Sequence, residues 1–252
     1  MFGFTDINSY DIKNPTVPGI YPVHTPGDAT YEHPEDRLRS AIFIPKEFKY
    51  GKAGKTPVIL VPGTGSYAGE AFKHNFAKLL TASSFADPVW LNIKGRMNDV
   101  SHKNAEHVAY AINYLSAVCK KPMAIVAWSQ GNLATQWSFK YWPSTRKAVN
   151  NFIALSADFN GTWQASTVMP FKLGIGNPSM WSQRQHSQFI QTLRDDGGDS
   201  AYVPTTSIYS VTDEVVQPQW GENASAIMRD GRGIGARNYQ LQKVAPGEPA
   251  GE

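Results

Sequence analysis

Ser129 stands in Trp128-Ser129-Gln130-Gly131, between the apolar run Ala124-Ile125-Val126-Ala127 and the helix-like Asn132-Leu133-Ala134-Thr135-Gln136-Trp137. Buried strand, sharp turn, then helix is the setting in which a serine hydroxyl is lifted clear of the backbone as a nucleophile. Such a turn strains the serine backbone, and small residues two positions before and after it let strand and helix approach without clashing. Ala127 and Gly131 occupy those positions. The pattern A-x-S-x-G is weak by itself, and a surface serine in an ordinary strand-to-helix turn also fits it. Leu133, Trp137 and Tyr141, following at helical spacing, strengthen the nucleophile reading.

Acyl transfer from such a serine needs preorganised N–H groups aimed at the developing oxyanion, a base, and an acid that orients the base. Pro57-Val58-Ile59-Leu60-Val61 reads as a buried central strand running into Pro62-Gly63-Thr64-Gly65. The N–H of Gln130 would be one oxyanion donor, and Thr64 offers both its N–H and its hydroxyl. These glycines also suit a plain loop; a phosphate-binding turn is disfavoured because no Lys-Ser/Thr follows in register. Ile208 to Gln217 reads as a strand that ends in the carboxylate of Asp213 and breaks at Pro218. An aspartate there fits the chain order of nucleophile, then acid. It would hold an imidazole in the right tautomer and stabilise its charged form. Glu214 is a local competitor that reads as a solvated turn residue. Asp158, just past the apolar run Phe152-Ile153-Ala154-Leu155, is another candidate carboxylate.

Four segments, in order between residues 41 and 244, resemble fungal lipases of the Candida antarctica lipase B type, which have the α/β-hydrolase fold. They are Val61-Pro62-Gly63-Thr64-Gly65, Trp128-Ser129-Gln130-Gly131-Asn132-Leu133, Ala157-Asp158-Phe159-Asn160-Gly161-Thr162, and Tyr209-Ser210-Val211-Thr212-Asp213-Glu214-Val215-Val216-Gln217-Pro218-Gln219. The resemblance implies a mostly parallel sheet flanked by helices with a small cap insertion, and an ester hydrolase working through an acyl-enzyme without a cofactor. It implies Ser129 as nucleophile, Asp213 as acid, and Thr64 with Gln130 as the oxyanion hole. It further implies that Asp158, Gln183, Val215 and Val216 line the acyl side of the pocket and that Trp128 floors the alcohol side. The family also leads one to expect secretion and a lipid or other hydrophobic ester as substrate. Two departures stand out. Val89 occupies the place of a half-cystine, and Cys119 is the only cysteine, which excludes an intramolecular disulfide. The family's histidine follows its last core strand, matched here by residues 238–244, and none of the residues after that match is histidine.

Deprotonating a serine near neutral pH takes a base with a pKa near the operating pH, usually imidazole. His24, His33, His74, His102, His107 and His186 all precede Asp213. His74, His102 and His186 are conceivable substitutes, but each reads better as a surface or pocket-wall residue. The favoured expectation is therefore a histidine beyond Glu252 in a longer protein, with the C-terminal part of the family domain absent from this chain. The alternative is a catalytically impaired or non-catalytic hydrolase-fold protein that binds hydrophobic ligands.

At 252 residues and 41% hydrophobic, the chain can build the core of one α/β domain over residues 1–252. The formal charge is +3, but Lys and Arg are scattered, which disfavours nucleic-acid binding. The longest apolar runs are of strand length, so no membrane-spanning helix is expected. Met1-Phe2-Gly3-Phe4-Thr5-Asp6 shows no basic or apolar leader pattern, and the compartment stays open. The implied partners are a small-molecule ester or lipid and a lipid interface, with no obligate protein partner. Asn160-Gly161-Thr162 and Asn223-Ala224-Ser225 are glycosylation sequons that matter only on secretion.

The elements expected to position these residues alternate. Residues 1–37 read as an irregular arm packed over the body, and residues 39–44 as a first strand stopped at Pro45. Residues 70–80 read as a helix and 89–93 as a strand with Val89, Leu91 and Ile93 apolar. Residues 104–118 read as an amphipathic helix with Val108, Ala111, Ile112 and Leu115 toward the sheet. Residues 174–193, with Ile175, Met180, Trp181, Phe189 and Ile190, occupy the usual cap insertion point between the sixth and seventh core strands of that fold; they suit an acyl channel or a helix packed on the core. Residues 245–252 read as a disordered Pro/Gly/Glu tail.

Overall fold

The computed structural model describes residues 7–167 and 177–247. Seven strands, β1 (Ile42–Phe43), β2 (Thr56–Val61), β3 (Ala86–Leu91), β4 (Met123–Trp128), β5 (Val149–Leu155), β6 (Thr205–Tyr209) and β7 (Ala236–Gln240), form one sheet in the order β1-β3-β2-β4-β5-β6-β7. β1 pairs antiparallel with β3, and every other neighbouring pair is parallel. The central strands are continuous apolar runs because both of their faces are covered. Along β2 and β4, Ile59, Val61, Ile125 and Ala127 enter one apolar cluster, while Val58, Leu60 and Val126 enter another on the opposite face.

The helices are α1 (Glu35–Ser40), α2 (Ala68–Phe72), α3 (Phe76–Ala82), α4 (Ser101–Cys119), α5 (Gln130–Tyr141), α6 (Ser144–Ala148), α7 (Gln164–Thr167), α8 (Pro178–Ser182), α9 (Gln188–Arg194) and α10 (Leu241–Val244). Phe72 and Ala77 of α2 and α3 join Val58 and Leu60 on one side of the sheet, and α4 with α5 covers the other.

Several boundaries differ from the sequence expectation, each for a local reason. The expected strand over 39–44 shrinks to Ile42–Phe43, because Pro34-Glu35-Asp36 starts a helix with acids in its first turn and Arg37 and Arg39 in its last. The expected irregular arm accordingly ends at Pro34. The expected helix over 70–80 splits at Asn75, whose side chain accepts a hydrogen bond from the Phe76 N–H and restarts the chain as α3. β6 stops at Tyr209, short of Asp213, because the Ser210 hydroxyl accepts the Thr212 N–H at 3.1 Å and turns the chain. Of the match over 238–244, only the part to Gln240 is strand, and Leu241–Val244 is a helical turn. Of the expected cap, residues 174–176 with Ile175 lie outside the described residues, as do residues 1–6 of the arm and 248–252 of the tail. Phe189 and Ile190 pack with Leu133 and Trp137, so α9 is a helix docked on α5. Cys119 is free.

The largest difference concerns α4. Its sheet side carries Val108, Ala111, Ile112 and Leu115 as expected, yet the helix is buried all round from Asn104 to Leu115. The N-terminal arm covers its outer face. Glu106 accepts the N–H groups of Glu32 and His33 at 2.8 and 2.9 Å, and the Tyr110 hydroxyl donates to Glu35 at 2.8 Å. Tyr31 stacks between Tyr21 and Trp142. Polar groups that look solvent-facing in the sequence thus fasten a second layer.

His33 and His107 meet in this seam with ring centroids 5.0 Å apart, and the Nε2 atom of each is buried without a hydrogen-bond partner. Burial holds both imidazoles below their usual range, His107 down to about 3, with Arg37 nearby acting in the same direction. In the unfolded chain both titrate near pH 6.5. Stability is therefore fully present above about pH 6.5 and declines as pH falls toward the folded values, by up to about 1.4 kcal/mol per pH unit for one fully buried imidazole. Thermal melts between about pH 7 and pH 5 should show a shallower loss for His107→Gln than for the unmodified protein. Parallel losses would contradict this account of the seam.

Candidate active site

β4 carries the chain into the site and α5 carries it away, and Ser129 is the single residue between them. It has φ 51° and ψ −129°, a left-handed backbone that a non-glycine residue holds only when its surroundings enforce it. The enforcement is visible. Ser129 N–H donates to Leu155 O at 3.0 Å, and the buried Asn132 amide donates to both Ser129 O and Leu155 O at 2.9 Å. The turn is pressed against the loop that follows β2. A Cβ on Gly63 would come within 2.9 Å of Ser129 Cβ, and one on Gly131 within 2.6 Å of Pro62 O. The small residue two positions after the serine is thus needed to let α5 start beside that loop.

The loop itself is clamped. Gly65 N–H donates to Arg96 O at 2.8 Å, while the Arg96 guanidinium donates to Gly65 O at 3.0 Å and pairs with Glu70. Beside Ser129, Thr64 meets two glutamines. Gln130 Nε2 donates to Thr64 Oγ1 at 3.1 Å and Gln183 Nε2 donates to it at 2.9 Å. Four sequence-selected residues, Thr64, Ser129, Gln130 and Gln183, therefore lie together at the C-terminal edge of the sheet. Trp128 lies under the same loop, its ring facing Gly63, and packs with the apolar cluster of Phe72 and Trp90.

Asp213 occupies the loop after β6, two strands from β4 at the same edge. Its Oδ1 accepts the N–H groups of Val215 and Val216 at 2.9 and 2.7 Å, and its buried Oδ2 has no hydrogen-bond partner. Burial raises its pKa, opposed by those two N–H groups and by the nearby Ser156 hydroxyl. Thr162 holds the loop by donating to Val215 O at 2.8 Å and accepting from Gln217 N–H at 3.0 Å. Val216 is buried and Val215 is 47% exposed, so the two valines do not share one environment. Asp158 is fully buried after β5, in a turn whose Gly161 backbone abuts Gln183.

Among the described residues no histidine hydrogen-bonds Ser129 or Asp213. His33 and His107 are the buried seam pair, His24 contacts Gly19 O at 2.8 Å, and His102 lies 6.2 Å from the Trp137 ring. His74 and His186 are exposed. No group of three His, Cys, Asp or Glu able to hold a metal occurs among the described residues. Asn132, Ser156 and Asn104 belong to the site and were not singled out in the sequence. A buried Asn three residues after a nucleophile candidate is the one signal that was available.

A parallel sheet with an antiparallel edge, helices on both faces and a strained serine between strand and helix is the α/β-hydrolase architecture. No protein-family model matches the chain. Lipase B of Pseudozyma antarctica is 34% identical over 184 residues, which are 72% of this chain and 53% of that protein. The crystal structure of Aspergillus fumigatus lipase B superposes with a TM-score of 0.89 at 51% identity, covering 97% of this chain and 59% of that one. A Bacillus licheniformis lipase in its mature form, 14% identical with a TM-score of 0.56 over 73% of this chain and 75% of its own, shares the fold. The chain belongs to the α/β-hydrolase superfamily, in the group of fungal lipases of the lipase B type. It spans about half the length of the Pseudozyma relative.

The close approach at the turn is directly testable. Gly131→Ala must push against backbone carbonyls that cannot swing away, and is expected to cost about 1–3 kcal/mol of stability. An unchanged melting temperature would contradict the contact.

Proposed function

We propose that residues 1–252 work as one α/β-hydrolase domain of a serine carboxylic-ester hydrolase, with lipid or other hydrophobic esters as substrates. Ser129 Oγ attacks the ester carbonyl, and the Thr64 and Gln130 N–H groups with the Thr64 hydroxyl take up the charge on its oxygen. The alcohol leaves with a proton, and water then releases the acid from the acyl-enzyme. Asp213 orients the imidazole that moves these protons and stabilises its charged form. One observation carries the reading: a serine held at φ 51° at the end of β4, beside an oxygen, Thr64 Oγ1, that two buried amides hold in position.

Asp213 supports it, since its Oδ1 is occupied by two N–H groups and its Oδ2 is a buried acceptor without a partner. That is the acceptor an imidazole N–H requires. All six histidines of the 252 residues precede Asp213, and this reading assigns the base to none of them. Asp158, Gln183, Val215 and Val216 line the acyl side in this reading, with Trp128 under the alcohol side. The exposed Trp163, Val215 and Trp220 favour contact with a lipid surface.

Without added base, these 252 residues should hydrolyse p-nitrophenyl butyrate slowly. Added imidazole should raise the part of the rate that Ser129→Ala abolishes, and Asp213→Asn should remove most of that gain. A fluorophosphonate probe should label Ser129. Well-folded protein that is neither labelled nor responsive to imidazole would sink the enzyme reading in favour of a hydrolase-fold protein that only binds hydrophobic ligands. Across a series of p-nitrophenyl esters, rates should favour chains longer than acetate; preference for acetate alone would contradict a lipase.

A further inference from the structure

Three side-chain amides form a chain that begins and ends on backbone carbonyls. At one end, the Asn104 amide on α4 donates to Met97 O at 3.0 Å and to Asp99 O at 2.9 Å. Carbonyls only accept, so the NH2 group of Asn104 must face them. The two hydrogens of that NH2 group also serve Gln130 Oε1 at 3.0 Å, one of them shared between two acceptors, which leaves Gln130 Nε2 to donate to Thr64 Oγ1 at 3.1 Å. At the other end, Gln183 Nε2 faces Ser179 O at 3.1 Å and donates to Thr64 Oγ1 at 2.9 Å. Asn104 and Gln130 are 2% and 0% exposed, so water offers neither a substitute partner.

Two donated N–H bonds occupy the acceptor positions of the Thr64 oxygen, and its own O–H is then the one group left to turn. In the resting site that O–H has only a 3.3 Å contact to Gln183 Oε1. A full negative charge beside Ser129 outcompetes a long neutral contact of this kind. We infer that Asn104, through the Gln130 side chain, is a positioning residue that aims the Thr64 hydroxyl proton at the oxyanion. The inference rests on the reading of Ser129 as nucleophile and of Thr64 as oxyanion donor.

The Asn104 side chain hydrogen-bonds Met97, Asp99 and Gln130 and reaches Thr64 only through Gln130, so removing it has a specific signature. With Asn104→Leu, Gln130 loses the partner that fixes its amide. With Asn104→Asp, a carboxylate that only accepts draws Gln130 Nε2 to itself and turns Oε1 toward Thr64. Thr64 O–H then donates to Gln130 and is lost to the oxyanion.

The probe is butylboronic acid, which forms a tetrahedral anion on Ser129 Oγ with release of one proton to solvent, and whose dissociation constant can be read with these 252 residues. Thr64→Val should weaken the adduct about tenfold or more, and Asn104→Leu about three- to tenfold. In the Thr64→Val background, Asn104→Leu should add nothing, because the proton it aims is already gone. Gln130→Met serves as a second route should Asn104→Leu fold poorly, and it too should be silent when Thr64 is Val. Equal weakening in both backgrounds would reduce Asn104 to a structural residue and overturn the inference, as would no weakening in either. If the unmodified protein melts normally yet forms no adduct, while the Ser129→Ala baseline is identical, the nucleophile reading itself fails and takes this inference with it.

Discussion

The close approach of two backbones, the turn from β4 into α5 and the loop leaving β2, is the constraint on which the rest of the molecule depends. Gly63 and Gly131 let Pro62, Ser129 and the first turn of α5 come within distances no Cβ would tolerate. That proximity brings the Gln130 side chain, one residue after the serine, to Thr64. It also forces Ser129 into its left-handed backbone, with Asn132 and Leu155 holding it there. Strain of this sort costs roughly 1–3 kcal/mol and persists only when the surrounding structure over-determines it. The parallel sheet provides that surrounding, with β4 flanked by β2 and β5.

Polar groups then tune what the backbones bring together. The amides of Asn104, Gln130 and Gln183 form a nearly dry chain around Thr64, anchored at both ends on carbonyls. Buried networks of this type are favourable only when complete, since one unsatisfied amide in a low-dielectric interior costs more than one hydrogen bond contributes. Asp213 follows the opposite design, with one carboxylate oxygen saturated and the other buried without a partner. The N-terminal arm matters to this arrangement indirectly. By covering the outer face of α4 through Glu106 and Tyr110, it makes α4 a core helix and so fixes the element that carries Asn104.

How much of this was legible in the sequence follows the range of the interactions. The parallel sheet was readable because Pro57 to Val61 and Ala124 to Ala127 are unbroken apolar runs with helical spacing behind them. Ser129, Thr64 and Gln130 were readable because their places depend on local punctuation, strand end and glycine. The turn that carries Asp213 was legible at Pro218, but the expected strand up to it was not, since the Ser210 hydroxyl accepts the Thr212 N–H and turns the chain early. The helix over 70–80 failed for a similar reason at Asn75. The burial of the outer face of α4 and the link from Asn104 to Gln130 were invisible, because both depend on partners far away in the chain that no periodicity encodes.

The central claim is that Ser129 reacts with an acyl or phosphoryl centre whose oxygen is received by the Thr64 and Gln130 donors. A crystal structure of the protein after reaction with a p-nitrophenyl alkylphosphonate measures this directly. The account predicts phosphorus bonded to Ser129 Oγ, with the phosphoryl oxygen about 2.7–3.1 Å from the Gln130 and Thr64 N–H nitrogens and the Thr64 hydroxyl oxygen. Phosphorus on another side chain, or a phosphoryl oxygen turned to solvent away from both residues, would contradict it.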